Sequence, residues 1–187
     1  SGELETLLSG RYVQIEMLPL SFSEFLSSCD PTEPVRESFN RYVTFGSFPY
    51  LTQLPKDASI YNTYLEGIYN TILIKDVAGR EGISDVSLLE DITRFLSSNI
   101  GSPVSPKKIS DMINASGRSI SVNTVDKYMR ALSESFFFYK AGRYDIKGRN
   151  LLKTLAKYYV VDTGLRNFLL SSESPDIGHQ IENIVYL

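Results

Sequence analysis

The chain has 187 residues, 42% hydrophobic and 22% charged, with a formal net charge of −3, which allows one large or two small domains around a substantial core. One cysteine, Cys29, excludes a disulfide framework, and one histidine, His179, leaves no Cys/His zinc site and a poor start for His-dependent nucleophilic catalysis; neither a GxxxxGKS/T nor a GxGxxG phosphate loop occurs. No apolar run approaches the roughly 20 residues a bilayer crossing needs and no basic-then-apolar leader opens the chain, so it reads as soluble and cytoplasmic with no membrane partner.

Residues 1–20 read as a helix end followed by a strand: Leu4, Leu7 and Leu8 share a helical face, Gly10 supplies a stop, and Tyr12 to Met17 alternates. Ser21 and Ser23 precede Phe22, Phe25 and Leu26, a short capped helix. Cys29 to Pro34 is a loop, because its two prolines hold the residues before them extended. A helix from Val35 to Tyr42 packs through Val35, Phe39 and Tyr42 and is broken by Gly46-Ser47-Phe48-Pro49. Asp57 or Ser59 then caps a longer helix whose apolar stripe includes Tyr61, Leu65, Tyr69, Leu73 and Val77 and ends at Gly79 and Gly82.

From Ser84 the pattern changes. A first helix, capped by Ser84 or Asp85, presents Val86, Leu89, Ile92, Phe95 and Leu96 and stops at Gly101. A second has Ser105 as N-cap and Pro106 at its first position and stops at Gly117. Ser121 caps a third, expected to bury Val122, Val125, Tyr128, Met129 and Leu132. Strands at Phe136–Lys140 and Lys157–Val161 follow, joined by a turn at Asp145–Arg149. Three helices closed by a β-hairpin are the layout of a winged helix-turn-helix. The predicted class is therefore mainly α with small β, a helical subdomain (21–83) followed by a winged helix (84–162). The tail, 163–187, holds a short helix around Leu165, Phe168 and Leu169, a polar loop and the start of a new apolar helix.

Charge is distributed unevenly. Residues 1–104 carry seven basic and fourteen acidic side chains, a balance of −7; residues 105–160 carry eleven and four, a balance of +7; the rest sum to −3. A basic block between acidic flanks points to an anionic partner, and with a winged helix that partner is double-stranded DNA. The third helix would enter the major groove, with Ser119, Ser121, Asn123 and Thr124 near bases or phosphates and Lys127 and Arg130 on phosphates. Lys107, Lys108 and Arg118 would touch the flanking strands, and Lys147 and Arg149 at the hairpin tip would reach the backbone or an adjacent groove. The competing reading is a protein-docking module whose lysines are ordinary surface residues.

The carboxylates are scattered. Asp85 reads as a helix cap and Asp162, before Thr163-Gly164, as a cap or turn residue. No pair is spaced to hold a metal, so no metal site and no complete nuclease site is expected.

Several motifs resemble a known family. These are Leu7-Leu8-Ser9-Gly10-Arg11-Tyr12, Phe45-Gly46-Ser47-Phe48-Pro49, Tyr69-Asn70-Thr71-Ile72-Leu73-Ile74-Lys75-Asp76, Phe95-Leu96-Ser97-Ser98-Asn99-Ile100-Gly101, Val161-Asp162-Thr163-Gly164-Leu165-Arg166-Asn167 and the closing Gly178–Leu187. They resemble the prokaryotic AAA-like P-loop ATPases with a C-terminal DUF4143 region. The resemblance implies a middle fragment: the end of an ATPase core at 1–20, a lid-like helical segment, the winged helix, and the start of a nuclease-like domain at 163–187. It implies ATP and Mg2+ for the intact protein but no cofactor here, ATPase activity there but no enzyme in this stretch alone, and self-association through the core. It also gives Arg11 a role as arginine finger or sensor and Glu182 one as the first acid of a nuclease-like site. The leading functional expectation is a regulatory, DNA-binding portion of such an ATPase; the alternative is a module coupling ATPase state to a protein partner.

Overall fold

In the computed structural model the described residues are 13, 15–79, 82–145, 150–171 and 176–187, with the backbone alone for 74, 143–145 and 150–154. The fold is mainly helical with one small antiparallel sheet. Of the expected strand over 12–17, the described residues, 13 and 15–17, have no strand partner. Helix α1 (Phe22–Ser27) opens with a reciprocal capping box, Glu24 N–H donating to Ser21 Oγ at 3.3 Å and Ser21 N–H to the Glu24 carboxylate at 2.8 Å. Helix α2 (Val35–Phe45) follows Pro34 and buries Ser38, Tyr42 and Val43, while Val35, expected inside, is 58% exposed. Phe25, Tyr42 and Val43 form a small core of their own, joined by Leu20, Phe22, Phe39 and Ile184.

After a 3-10 turn at Pro49–Gln53, α3 (Ala58–Asn70) starts on Asp57, whose carboxylate accepts from Ser59 N and Ile60 N. The helix then widens into a π-helical segment, Thr71–Ala78. The buried stripe explains the change. Tyr61, Leu65, Tyr69, Leu73 and Val77 are spaced four apart, and each step overshoots an α-turn of about 3.6 residues. The drift accumulates along the helix, and wider turns with i→i+5 bonding bring Leu73 and Val77 back over the core.

Helices α4 (Val86–Ser98), α5 (Pro106–Ala115) and α6 (Val122–Glu134) lead into strands β1 (Phe138–Asp145) and β2 (Asn150–Val160). The strands pair antiparallel from Phe138↔Val160 to Asp145↔Asn150, with a register shift between Gly142 and Arg143. The other edge of β2 is covered in three steps. Val104 exchanges both backbone hydrogen bonds with Ala156, Gly101 N–H donates to Tyr158 O at 3.1 Å, and the Asn183 side chain bonds both Val160 N (2.8 Å) and Val160 O (2.9 Å). An amide that accepts from the N–H and donates to the C=O of one strand residue stands in for a neighbouring strand at that position. Asn183 belongs to α8 (Ile177–Tyr186), which follows α7 (Thr163–Leu170). The main core runs from Leu51 to Leu169 and draws on α3, α4, α5, α6, both strands and α7.

Candidate nucleic-acid interface

The α5–α6 turn is built by Asn114. Its Oδ1 accepts from Ile120 N at 2.7 Å and its Nδ2 donates to Ile120 O at 3.1 Å, while Ser110 Oγ also donates to Ile120 O. This fixes the start of α6 against α5. Ser121 caps α6, accepting from Thr124 N at 3.1 Å, and its hydroxyl lies 2.9 Å from that of Thr124. Two hydroxyls expected to read bases or phosphates are therefore engaged in holding the helix end. Val125, Tyr128, Met129 and Leu132 are buried as expected, whereas Val122, the first residue of α6, is 42% exposed.

The outward face of α6 carries Asn123, Lys127 and Arg130, all exposed. Arg130 pairs with Asp126 at 3.3 Å one turn back, and Lys107 pairs with Asp111 at 2.9 Å along α5. Arg118 bridges to α4, donating to Ser87 Oγ at 2.9 Å and pairing with Asp91 at 3.2 Å. Lys108 is exposed on α5. Lys107, Arg118 and Arg130 are thus each paired with a carboxylate; Asp111 and Asp126 are already counted in the +7 of residues 105–160, whereas Asp91 lies outside that stretch. Exposed pairs of this kind are worth about 0–1 kcal/mol and exchange readily. Lys147 and Arg149 lie outside the described residues, as does Arg11.

Glu182, on α8, faces β2. Its carboxylate accepts from Lys157 Nζ at 2.9 Å and Tyr159 Oη at 2.8 Å, and Tyr186 stacks on Tyr159 with ring centroids 3.9 Å apart. The Lys157 bond, and then that of Tyr159, holds its carboxyl below the usual range. It anchors α8 to the sheet. No group of three or more His, Cys, Asp or Glu able to hold a metal occurs among the described residues.

A second polar assembly joins α2, α7 and α8. Asp162, 1% exposed, caps α7 through Leu165 N (3.1 Å) and accepts from Ser47 N across the fold at 2.7 Å. Burial pushes its carboxyl up to about 6 despite those donors. Gly46 is confined to glycine by φ +82° and by the Asp162 carboxylate, which any Cβ would strike; a Cβ on Gly164 would strike the Phe45 carbonyl. Asn167 Nδ2 donates to the Val43 and Thr44 carbonyls at the end of α2, and Gln180 on α8 donates to Asn167 Oδ1 at 2.5 Å. Arg94 donates to Leu169 O, and Arg166 to Ser97 O, so α4 and α7 each close the other's last turn. The Phe-Gly-Ser-Phe-Pro, Asp-Thr-Gly-Leu-Arg-Asn and Gln-Ile-Glu-Asn runs thus meet as one internal framework. Sequence reasoning identified Asp162 as a cap but had no signal for the roles of Asn114, Asn167, Gln180 and Asn183.

A model for a domain of unknown function, DUF8612, matches residues 36–176. The chain belongs to the DUF8612 family. That match corrects the resemblance to AAA-like ATPases with a DUF4143 region: the matched family is DUF8612, and neither the family description nor the relatives' names refer to an ATPase. The roles of Arg11 as a finger or sensor and of Glu182 as a nuclease acid rested on that resemblance and lose their support with it. A Haemophilus influenzae relative, described as an uncharacterized protein, is 40% identical over 190 residues, covering 100% of this chain and 47% of its own. The uncharacterized protein MJ1544 of Methanocaldococcus jannaschii is 28% identical over 201 residues, covering 100% of this chain and 44% of its own. The DUF8612 chain spans less than half the length of these curated relatives. No solved structure matches it significantly. No helix among the described residues is long and apolar enough to cross a membrane.

Proposed function

We propose that residues 86–160 form a winged-helix module that binds duplex DNA mainly through its phosphates. The observation that carries the reading is α6. Its inner face is fixed by Val125, Tyr128, Met129 and Leu132, and its outer face offers Asn123, Lys127 and Arg130 to solvent. The order of elements around it supports the same reading: a helix, a strand contact at Val104, two helices joined by a locked turn, and a two-stranded hairpin. Asn123 suits a base edge on that face while Lys127 and Arg130 are assigned to phosphates, so sequence preference is expected to be modest and phosphate contacts to dominate. The local ion pairs moderate affinity without removing the cations, because a phosphate can replace each carboxylate at little cost.

The test is fluorescence anisotropy with a labelled duplex at low salt, comparing the wild type with the double variant Lys127→Ala/Arg130→Ala. Both positions are exposed, so the fold is unaffected, and affinity is expected to fall about equally for unrelated sequences. Equal binding by both proteins, or no binding by the wild type, refutes the proposal and leaves the protein-docking reading.

A further inference from the structure

Two segments leave large apolar side chains in solvent, and one of them, α8, buries polar side chains instead. In α8 the buried side chains are polar, Gln180 and Asn183, both 0% exposed, whereas Ile177, Ile181 and Val185, one helical stripe at i, i+4 and i+8, face solvent at 58%, 43% and 80%. In the extended stretch before α1, Ile15 and Met17 are 80% and 85% exposed, on either side of an exposed Glu16. The two are neighbours: Met17, Leu18, Ile184 and Leu187 line one groove of about 410 Å³.

Solvent does not select such a face, and contiguous apolar surface on a folded chain marks a contact site. The length of the relatives indicates its occupant. Each aligns to all of this chain with less than half of its own residues, so each carries more polypeptide outside the region of similarity than within it. We propose that the apolar face of α8 and of residues 15–17 is an intramolecular docking surface for that additional polypeptide in the longer proteins of the family. Glu182, Asn183 and Tyr186 tie the same helix to β2, so whatever covers α8 bears directly on the hairpin module. The inference is independent of the DNA-binding proposal.

The experiment is photochemical carbene labelling read by mass spectrometry, on this chain and on the full-length Haemophilus influenzae relative, both at concentrations where sedimentation reports monomers. In this chain Met17, Ile181, Val185 and Leu187 are expected to label strongly. In the full-length relative the aligned positions are expected to lose label severalfold, independently of concentration. Undiminished labelling in the full-length protein overturns the proposal. So does loss of label in this chain on raising its concentration into a dimer, which would assign the face to a second copy instead.

Discussion

Replacing Asp162 by alanine removes two supports at once. The N-cap of α7 is lost, worth about 1 kcal/mol in comparable helices. Ser47 N–H, now 2.7 Å from the carboxylate, is left buried without an acceptor, which costs about 1–3 kcal/mol. The sum is about 2–4 kcal/mol, and for a chain of this size that lowers the thermal midpoint by roughly 5–15 °C. Circular dichroism melts measure it, and an alanine variant within about 0.5 kcal/mol of wild type would refute the assigned roles. The pH dependence adds a signed check. In the folded chain burial raises the Asp162 carboxyl to about 6 from an unperturbed 3.8. The folded state therefore takes up the proton more readily than the unfolded state. The resulting stabilisation is fully present below 3.8 and is lost as pH rises through about 6. Between pH 7.5 and pH 5 the wild type should gain stability relative to Asp162→Asn, which cannot titrate; a relative loss on acidification contradicts the burial argument.

Leu73→Ala, at a fully buried position in the π-helical segment, should cost about 2–5 kcal/mol in urea denaturation; an unchanged midpoint would mean the stripe does not face the core. Gly164→Ala should destabilise the chain by about 1–3 kcal/mol or more, because the new methyl meets the Phe45 carbonyl rather than a side chain that can move; a neutral melt would place that contact elsewhere. Asp126→Asn releases Arg130 from its pair and should tighten duplex binding severalfold at low salt, with the effect fading as salt rises; weaker binding would mean the pair orients Arg130 for its contact.

Local signals were legible in the sequence, and long-range ones were not. Ser21, Asp57, Asp85, Ser105, Ser121 and Asp162 all cap the helices their positions suggested, since a cap needs only its own helix start. The two strands and the three helices before them follow from periodicity and from Gly101 and Gly117. The π-helical widening was not legible, because periodicity assumes a constant turn, although four-residue spacing from Tyr61 to Val77 carried the clue. Asn183 on Val160 and Asn167 on α2 join residues far apart in sequence, and no local pattern marks an asparagine that completes a sheet edge. Tyr12 to Met17 alternates as a strand would, yet residues 13 and 15–17 have no partner strand; alternation reports which faces differ, not what covers them. In the candidate interface the residue types were legible, but the pairing of Lys107, Arg118 and Arg130 with Asp111, Asp91 and Asp126 was only partly so. The i,i+4 pairs follow from helix spacing, whereas Arg118–Asp91 depends on how α4 meets the α5–α6 turn.

The binding proposal is tested most directly by the salt dependence of duplex affinity. With about four phosphates contacted, through Lys127, Arg130, Lys147 and Arg149, log affinity against log salt should fall with a slope of about −4, and Lys147→Ala/Arg149→Ala should weaken binding and reduce the slope by about two. A slope near zero, or the same slope in wild type and double variant, would contradict phosphate-led binding by the helix and hairpin.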